Sequence, residues 1–88
     1  MKNPVNRFKA ALGTGRHQVG IWNTIGGPNV PELLGGAGFD WVLVDGEHGV
    51  FDRVGLHQIA MAFKGTETVP FVRVPWNDTV MIKKMLDI

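Results

Sequence analysis

The segment Phe39-Asp40-Trp41-Val42-Leu43-Val44-Asp45-Gly46-Glu47-His48-Gly49 decides the fold, because an apolar run passes directly into two carboxylates and an imidazole. Residues 39–44 are apolar at nearly every position, and not only at alternate positions. Such a strand is covered on both faces, as in a parallel sheet flanked by helices. The segment therefore predicts a buried parallel strand with reactive side chains beyond its carboxyl end.

Two further strands are predicted on either side of this one along the chain. Residues 18–25 form the first and carry Trp22 near their end, while residues 69–74 form the third and carry Arg73 near theirs. Ligands of parallel α/β proteins gather where the strands end. We therefore expect Trp22, the loop ending in His48, and Arg73 to share one pocket.

Helical patterns alternate with these strands, beginning with residues 6–12. The expected N-caps of the later helices are Asn29, Asp52, and Asn77 or Asp78. One helix followed by three strand–helix units predicts right-handed parallel crossovers and an α/β fold. Three strands cannot close an eight-stranded barrel of about 250 residues, so the pattern fits a small open sheet or the start of a larger barrel. The missing C-cap at residues 87–88 favours the second interpretation.

Composition narrows the class of partner. The chain has 88 residues, a net charge of +1 and no cysteine. There is no basic stripe for nucleic acid, no apolar run that could span a membrane and no thiolate for metal or disulfide chemistry. We expect a soluble cytoplasmic protein that acts on small molecules.

The residue types at the strand ends suit proton abstraction beside a carbonyl. Arginine can hold a carboxylate or neutralise an enolate, and histidine can move a proton near pH 7. Structural alternatives stay open at this point. Arg73 can pair with a strand-end carboxylate, His48 can bond the loop backbone, and Asp45 and Glu47 can satisfy loop amides.

The quoted run, extended back to Gly36 and joined by Val72-Arg73 and Pro75-Trp76-Asn77-Asp78, resembles the HpcH/HpaI family of metal-dependent pyruvate aldolases. Residues 8–12, 20–22 and 83–87 also resemble that family's opening helix, first strand and third barrel helix. The resemblance implies that residues 1–88 are a partial barrel domain. They would form the N-terminal helix and three β-α units of a (β/α)8 TIM barrel of the phosphoenolpyruvate/pyruvate type.

The resemblance also implies roles for individual residues. His48 matches the catalytic base, and Asp87 matches the acidic residue that raises its basicity. Arg73 matches the arginine that binds pyruvate and stabilises its enolate. Trp22 matches an aromatic wall of the substrate pocket. The remaining pair, Asp45 and Glu47, occupies acidic positions where contacts to metal-bound water are implied.

The reaction implied by the family is reversible cleavage of a 4-hydroxy-2-oxo acid to pyruvate and an aldehyde, with a divalent cation (Mg, Mn or Co) as Lewis acid. The carboxylates that ligate this cation in the family come from later barrel strands, so no metal ligand is assigned here. The isolated chain is then expected to be inactive and the complete protein to be a homo-oligomer. Two alternatives remain: cleavage of citramalyl or malyl thioesters, and a truncated, non-catalytic fragment that self-associates or docks to missing strands through the edge after Val74.

Overall fold

The computed structural model describes residues 2–88 as an alternating series of helices and strands. Their order and bounds are α1 (Arg7–Leu12), β1 (Gly20–Asn23), α2 (Asn29–Gly35), β2 (Trp41–Asp45), α3 (Arg53–Ala62), β3 (Val69–Arg73) and α4 (Thr79–Leu86). This is the predicted succession of one helix and three strand–helix units. The α/β fold class is therefore confirmed.

The strands form one parallel sheet in the order β1-β2-β3, with β2 in the middle. In the register of the sheet, Trp22 lies opposite Leu43, and Asp45 lies opposite Arg73. Register partners in a sheet point to the same face, and side chains alternate between faces along a strand. Trp22, Asp45 and Arg73 consequently project from one face near the carboxyl ends of three neighbouring strands.

The other face of the sheet carries the core. Val42 and Val44 of β2 pack with Leu56, Ile59 and Phe63 of α3, and all five side chains are at most 4% exposed. Full burial of a side chain of this size contributes roughly 1.5–3 kcal/mol relative to exposure. This packing explains why β2 is apolar on the helix-covered side, and it fixes the strand that ends in Asp45.

The first helix covers part of the opposite face. Phe8 of α1 meets Phe71 of β3 edge to face, with ring centroids 4.7 Å apart, and Phe71 in turn lies 6.1 Å from Trp41. Gln18 reaches back from the loop after α1 and donates a hydrogen bond to the carbonyl oxygen of Phe8. These contacts leave the carboxyl ends of the strands open.

Strand bounds differ from the prediction at several ends. The first strand covers Gly20–Asn23 and not 18–25, because the Asn23 side chain accepts from the Ile25 N–H at 3.2 Å and turns the chain away from the sheet. The central strand begins at Trp41 and includes Asp45. The third strand ends at Arg73. Asp45 is therefore a strand residue and not a loop residue, and Arg73, predicted within its strand, is the last residue of it, which restricts the positions of both side chains.

Two of the predicted helix caps are confirmed, and one is wrong. Asp52 accepts from the Gly55 N–H, and Asp78, the second of the two candidates, accepts from the Met81 N–H, both at 2.9 Å. Asn29 is instead the first residue of α2, and the N-cap is Pro28, which makes no side-chain cap bond. The reason is that residue 28 already has helical dihedral angles, with φ −86° and ψ −15°.

The last helix packs against the core only in part. The helical spacing of Met81 and Met85 in the sequence predicts that both side chains lie in the core, but no residue of α4 is buried and Met81 is 39% exposed. Met85 packs against the core cluster. Among residues 2–88, no helix has the length and apolar character needed to cross a membrane.

Candidate active site

Asp45 is the centre of the polar cluster at the carboxyl edge of the sheet. Its side chain is 2% exposed. Oδ1 accepts from Arg73 Nε at 2.9 Å and from the backbone N–H groups of Glu47 at 3.0 Å and His48 at 3.1 Å. Oδ2 accepts from Arg73 Nη2 at 2.6 Å and from Trp22 Nε1 at 3.1 Å. One carboxylate thus connects all three strand ends.

Gly46 allows the chain to leave β2 this close to β3. Its N–H donates to the carbonyl oxygen of Arg73 at 2.9 Å, which extends the pairing of the strands by one bond. A Cβ at position 46 would lie 2.6 Å from that same oxygen, so a side chain cannot be added without moving the backbone. A Cβ at Gly49 would likewise collide with the carbonyl oxygen of Asp45. The two glycines shape the tight turn that carries Glu47 and His48.

The Asp45–Arg73 pair is strongly ionised. Hydrogen bonding from the Arg73 guanidinium holds the pKa of Asp45 far below its ordinary value, against the opposing effect of burial, with further lowering from the His48 N–H and the Trp22 indole. The same hydrogen bonds raise the pKa of Arg73. Both groups are therefore charged at every physiological pH.

Arg73 is held along one edge and open along the other. Asp45 occupies the Nε and Nη2 positions, and the guanidinium carbon lies 5.1 Å from the centre of the Trp22 ring, in cation–π range. Within residues 2–88, Nη1 donates no hydrogen bond, and the side chain is 34% exposed. The guanidinium is thus fixed in place with donors left for a carboxylate or enolate oxygen.

His48 lies on the solvent side of this cluster, with 70% of its side chain exposed. Its Nε2 is 2.8 Å from Glu47 Oε1, and Glu47 Oε2 is 3.9 Å from Arg73 Nε. The Glu47 carboxylate therefore lies between the imidazole of His48 and the guanidinium of Arg73. An accessible imidazole near a fixed cation can move a proton to or from a bound anionic substrate.

The structure brings together five of the six predicted site residues: Trp22, Asp45, Glu47, His48 and Arg73. It does not bring Asp87 to them. Asp87 is the C-cap of α4 and lines a separate groove with Arg53, Val54, His57 and Ile88. The effect of Asp87 on His48, implied by the family resemblance, stays a prediction.

Two relationships within the cluster differ in how far the sequence indicates them. Pairing of Arg73 with a strand-end carboxylate is the structural alternative that the sequence leaves open, and the structure shows this pair, with Asp45 as the carboxylate. The contact of Glu47 with His48 was not foreseen, although their adjacency in a glycine-flanked turn was a signal for it. The structural and functional interpretations of Arg73 are compatible, because the ion pair uses only one edge of the guanidinium.

The described residues do not by themselves fit a divalent metal ion. Across residues 2–88, no group of three or more His, Cys, Asp or Glu side chains is placed to hold one. Of the two carboxylates beside the base, Asp45 is fully engaged by Arg73, Trp22 and the loop amides. No residue in this part of the chain is therefore assigned as a metal ligand.

Comparison with known proteins gives consistent matches to one family. The profile of the HpcH/HpaI aldolase/citrate lyase family matches residues 18–88. The chain is 49% identical over 83 residues to a 5-keto-4-deoxy-D-glucarate aldolase of Salmonella newport (strain SL254), a match that covers 94% of this chain and 32% of that protein.

Solved structures with the same fold include an HpcH/HpaI aldolase/citrate lyase family protein from Burkholderia cenocepacia J2315, with a TM-score of 0.86 and 30% identity over 94% of this chain and 34% of that one. The citrate synthase SbnG superposes with a TM-score of 0.82 and 32% identity over 90% of this chain and 32% of its own. The chain thus spans about a third of the length of the relatives it matches. Its sheet corresponds to three β-α units of their TIM-barrel fold.

Proposed function

The chain belongs to the HpcH/HpaI aldolase/citrate lyase family, and we propose that the whole protein reversibly cleaves a 4-hydroxy-2-oxo acid to pyruvate and an aldehyde. The observation that carries this proposal is the half-occupied guanidinium of Arg73 next to an exposed imidazole. An aldolase of this type needs a fixed cation for the oxo acid and a base for the proton. A guanidinium and an imidazole that could take these two roles lie at one rim of the sheet.

Arg73 would bind the anionic end of the substrate. Its free Nη1 edge can donate to the carboxylate or to the 2-oxo oxygen, and Asp45 and Trp22 keep the guanidinium from following the ligand into solvent. As the enolate forms, negative charge increases on the oxygen that the guanidinium faces. Arg73 then stabilises the transition state more than the ground state, which is the condition for catalysis.

His48 would move the proton. In cleavage, the 4-hydroxyl group gives its proton to the imidazole, the C3–C4 bond breaks, the aldehyde leaves, and the bond electrons remain as the enolate of pyruvate. Protonation at C3 completes pyruvate. In the opposite direction, a methyl proton of pyruvate is removed and the enolate carbon attacks the aldehyde. The exposed position of His48 leaves room for both substrates.

The family resemblance further supports a divalent cation, which would act as Lewis acid on the bound oxo acid. Since the described residues do not form its site, no step is assigned to it here. The substrate class is supported by the name of the Salmonella relative, a 5-keto-4-deoxy-D-glucarate aldolase. Homo-oligomerisation and cytoplasmic location remain predictions from the sequence.

Exchange of the pyruvate methyl protons with deuterium oxide tests the proposal without an aldehyde. We expect the natural full-length protein, loaded with Mg²⁺, Mn²⁺ or Co²⁺, to catalyse the exchange, and His48→Ala to slow it by roughly 100-fold or more. The matched control is His57→Ala, which removes an exposed imidazole on α3. Unchanged exchange in His48→Ala would refute the assigned base.

A second function, self-association of this 88-residue segment without catalysis, is favoured by the exposed apolar residues Val80 and Leu86 on α4, at 59% and 81% exposure. Sedimentation of the 88-residue segment at increasing concentration tests it. A sedimentation coefficient that rises with concentration is expected, and a monomer at all concentrations would exclude this function.

A further inference from the structure

We propose that a cavity at the amino ends of the strands binds a phosphate group, held between the guanidinium groups of Arg7 and Arg16. The cavity has a volume of about 330 Å³, and both arginines line it. This site is separate from the cluster around Asp45, and it does not depend on the proposed aldolase function.

The cavity lies at the edge of the sheet opposite the candidate active site. Its lining includes Arg16 in the loop before β1, Asp40 immediately before β2 and Thr68 immediately before β3, while Arg7 contributes from α1. Arg73 is at the other end of β3. A ligand in this cavity is therefore remote from the arginine assigned to the substrate.

Arg16 is oriented but keeps donors for a ligand. Its Nη2 donates to Asp40 Oδ1 at 2.9 Å, and no atom of residues 2–88 accepts a hydrogen bond from its Nε or Nη1. The second oxygen of Asp40 accepts from the Val19 N–H at 2.9 Å, which fixes the carboxylate in turn. Arg16 is thus held in place with two of its nitrogens still available.

Arg7 is held less firmly. Its Nη1 lies 3.4 Å from Glu67 Oε1, and the Glu67 side chain is 93% exposed. An exposed ion pair of this kind contributes little to stability and is weakened by salt. The guanidinium of Arg7 can therefore exchange Glu67 for an anion in the cavity.

The arrangement of donors favours phosphate over a carboxylate. A carboxylate has two oxygens, and one arginine can engage both of them, as Arg73 does with Asp45. A phosphate monoester carries about −1.5 to −2 charges at pH 7 and three accepting oxygens. It can therefore accept from two guanidinium groups at once, which suits arginines contributed by two different segments.

The size of the cavity favours a phosphorylated small molecule over free phosphate. A water molecule takes about 30 Å³ of liquid volume, so a cavity of about 330 Å³ has room for carbon atoms beside the phosphate. Phe8 and Phe39 also line the cavity and offer apolar contact to those atoms. The expected ligand is a small phosphate monoester.

Isothermal titration calorimetry of the natural full-length protein tests the site, with glycerol phosphate and inorganic phosphate as probes. We expect Arg7→Gln and Arg16→Gln each to raise Kd by about 10-fold or more, because each removes charge-assisted hydrogen bonds. Added KCl should weaken binding. Since Arg16 also bonds Asp40, Arg7→Gln provides the decisive result if Arg16→Gln does not fold.

Two further variants separate this site from other sources of binding. Lys83→Gln removes an exposed positive charge on α4 and should leave Kd unchanged. Arg73→Gln removes the arginine of the candidate active site and should also leave phosphate binding intact.

The proposal is overturned if neither probe binds at millimolar concentration, or if binding is lost in Arg73→Gln and kept in Arg7→Gln. Tighter binding of glycerol phosphate than of inorganic phosphate is expected. Equal Kd values for the two probes would overturn the assignment of an ester and leave free phosphate as the ligand.

Discussion

Asp45 holds Arg73 by two hydrogen bonds, 2.9 Å from Oδ1 to Nε and 2.6 Å from Oδ2 to Nη2, across adjacent parallel strands. The buried carboxylate and the half-exposed guanidinium form an ion pair in which one partner is hidden and the other faces solvent. Because no residue in the range 2–88 accepts a hydrogen bond from Nη1, the pair orients the arginine without using all of its donors. The guanidinium is therefore in position before a ligand binds.

Replacing Asp45 with asparagine should weaken substrate binding. An asparagine side chain can accept with only one atom, so Arg73 loses one of its two bonds and its fixed orientation. We expect KM for the oxo acid to rise by about 10-fold or more, measured by steady-state kinetics. Asp40→Asn is the matched control, because Asp40 pairs with Arg16 at the opposite end of the strands. An equal rise in KM for both variants would contradict the prediction.

Replacing Arg73 with lysine should lower the rate of cleavage strongly, even though the substitution keeps the positive charge. Lysine keeps the positive charge, but it cannot offer one edge to Asp45 and another to the substrate at the same time. We expect kcat/KM for cleavage to fall by roughly 100-fold. Arg16→Lys, which alters an exposed arginine at the other end of the strands, should have little effect. Near-normal kcat/KM in Arg73→Lys would show that charge alone is sufficient.

Adding one methyl group at Gly46 should destabilise the fold at the site. The new Cβ would lie 2.6 Å from the carbonyl oxygen of Arg73, a backbone atom that can move only by disturbing β3. Overpacking of this kind costs about 1–3 kcal/mol, which should appear as a lower Tm. Gly13→Ala is the control, since its Cβ would meet nothing closer than 3.8 Å. Equal Tm values for the two variants would contradict the close approach.

Stability should depend on pH through Asp45. Its pKa is lowered in the folded protein from an ordinary value of 3.8, chiefly by Arg73, so the unfolded chain takes up the proton first as the pH falls. The contribution of Asp45 to the free energy of unfolding is therefore complete above pH 3.8 and decreases below it. Denaturant unfolding of the wild type and Asp45→Asn should give a difference that shrinks from pH 6 to pH 3. A constant difference would exclude this linkage.

The fold was predictable because the signals that define it are local. The nearly continuous apolar run of residues 39–44 indicated a covered parallel strand, and turn residues between patterns separated the elements. Placement of Trp22, His48 and Arg73 at one rim followed from the same parallel order. The N-cap of α2 was mispredicted because Asn29 has a side chain suited to capping, whereas the chain enters its helical conformation at Pro28.

The partners within the site were less predictable, because they depend on register and on side-chain direction. Asp45 and Arg73 are 28 residues apart, and only the pairing of β2 with β3 shows that they lie opposite each other. The contact of Glu47 with His48 depends on a turn whose shape is fixed by bonds to Asp45. Residue type and order along the chain do not determine either relationship.

The register that places Arg73 beside Asp45 also links assembly of the sheet to activity. A shift of β3 by one residue would move every side chain of that strand to the opposite face and direct the guanidinium towards α3 and the core. It would also leave the buried carboxylate of Asp45 without its cation, which is unfavourable in itself. The ion pair therefore selects against misaligned sheets, and only a molecule whose strands have paired correctly presents the outer edge of the guanidinium at the rim of the sheet.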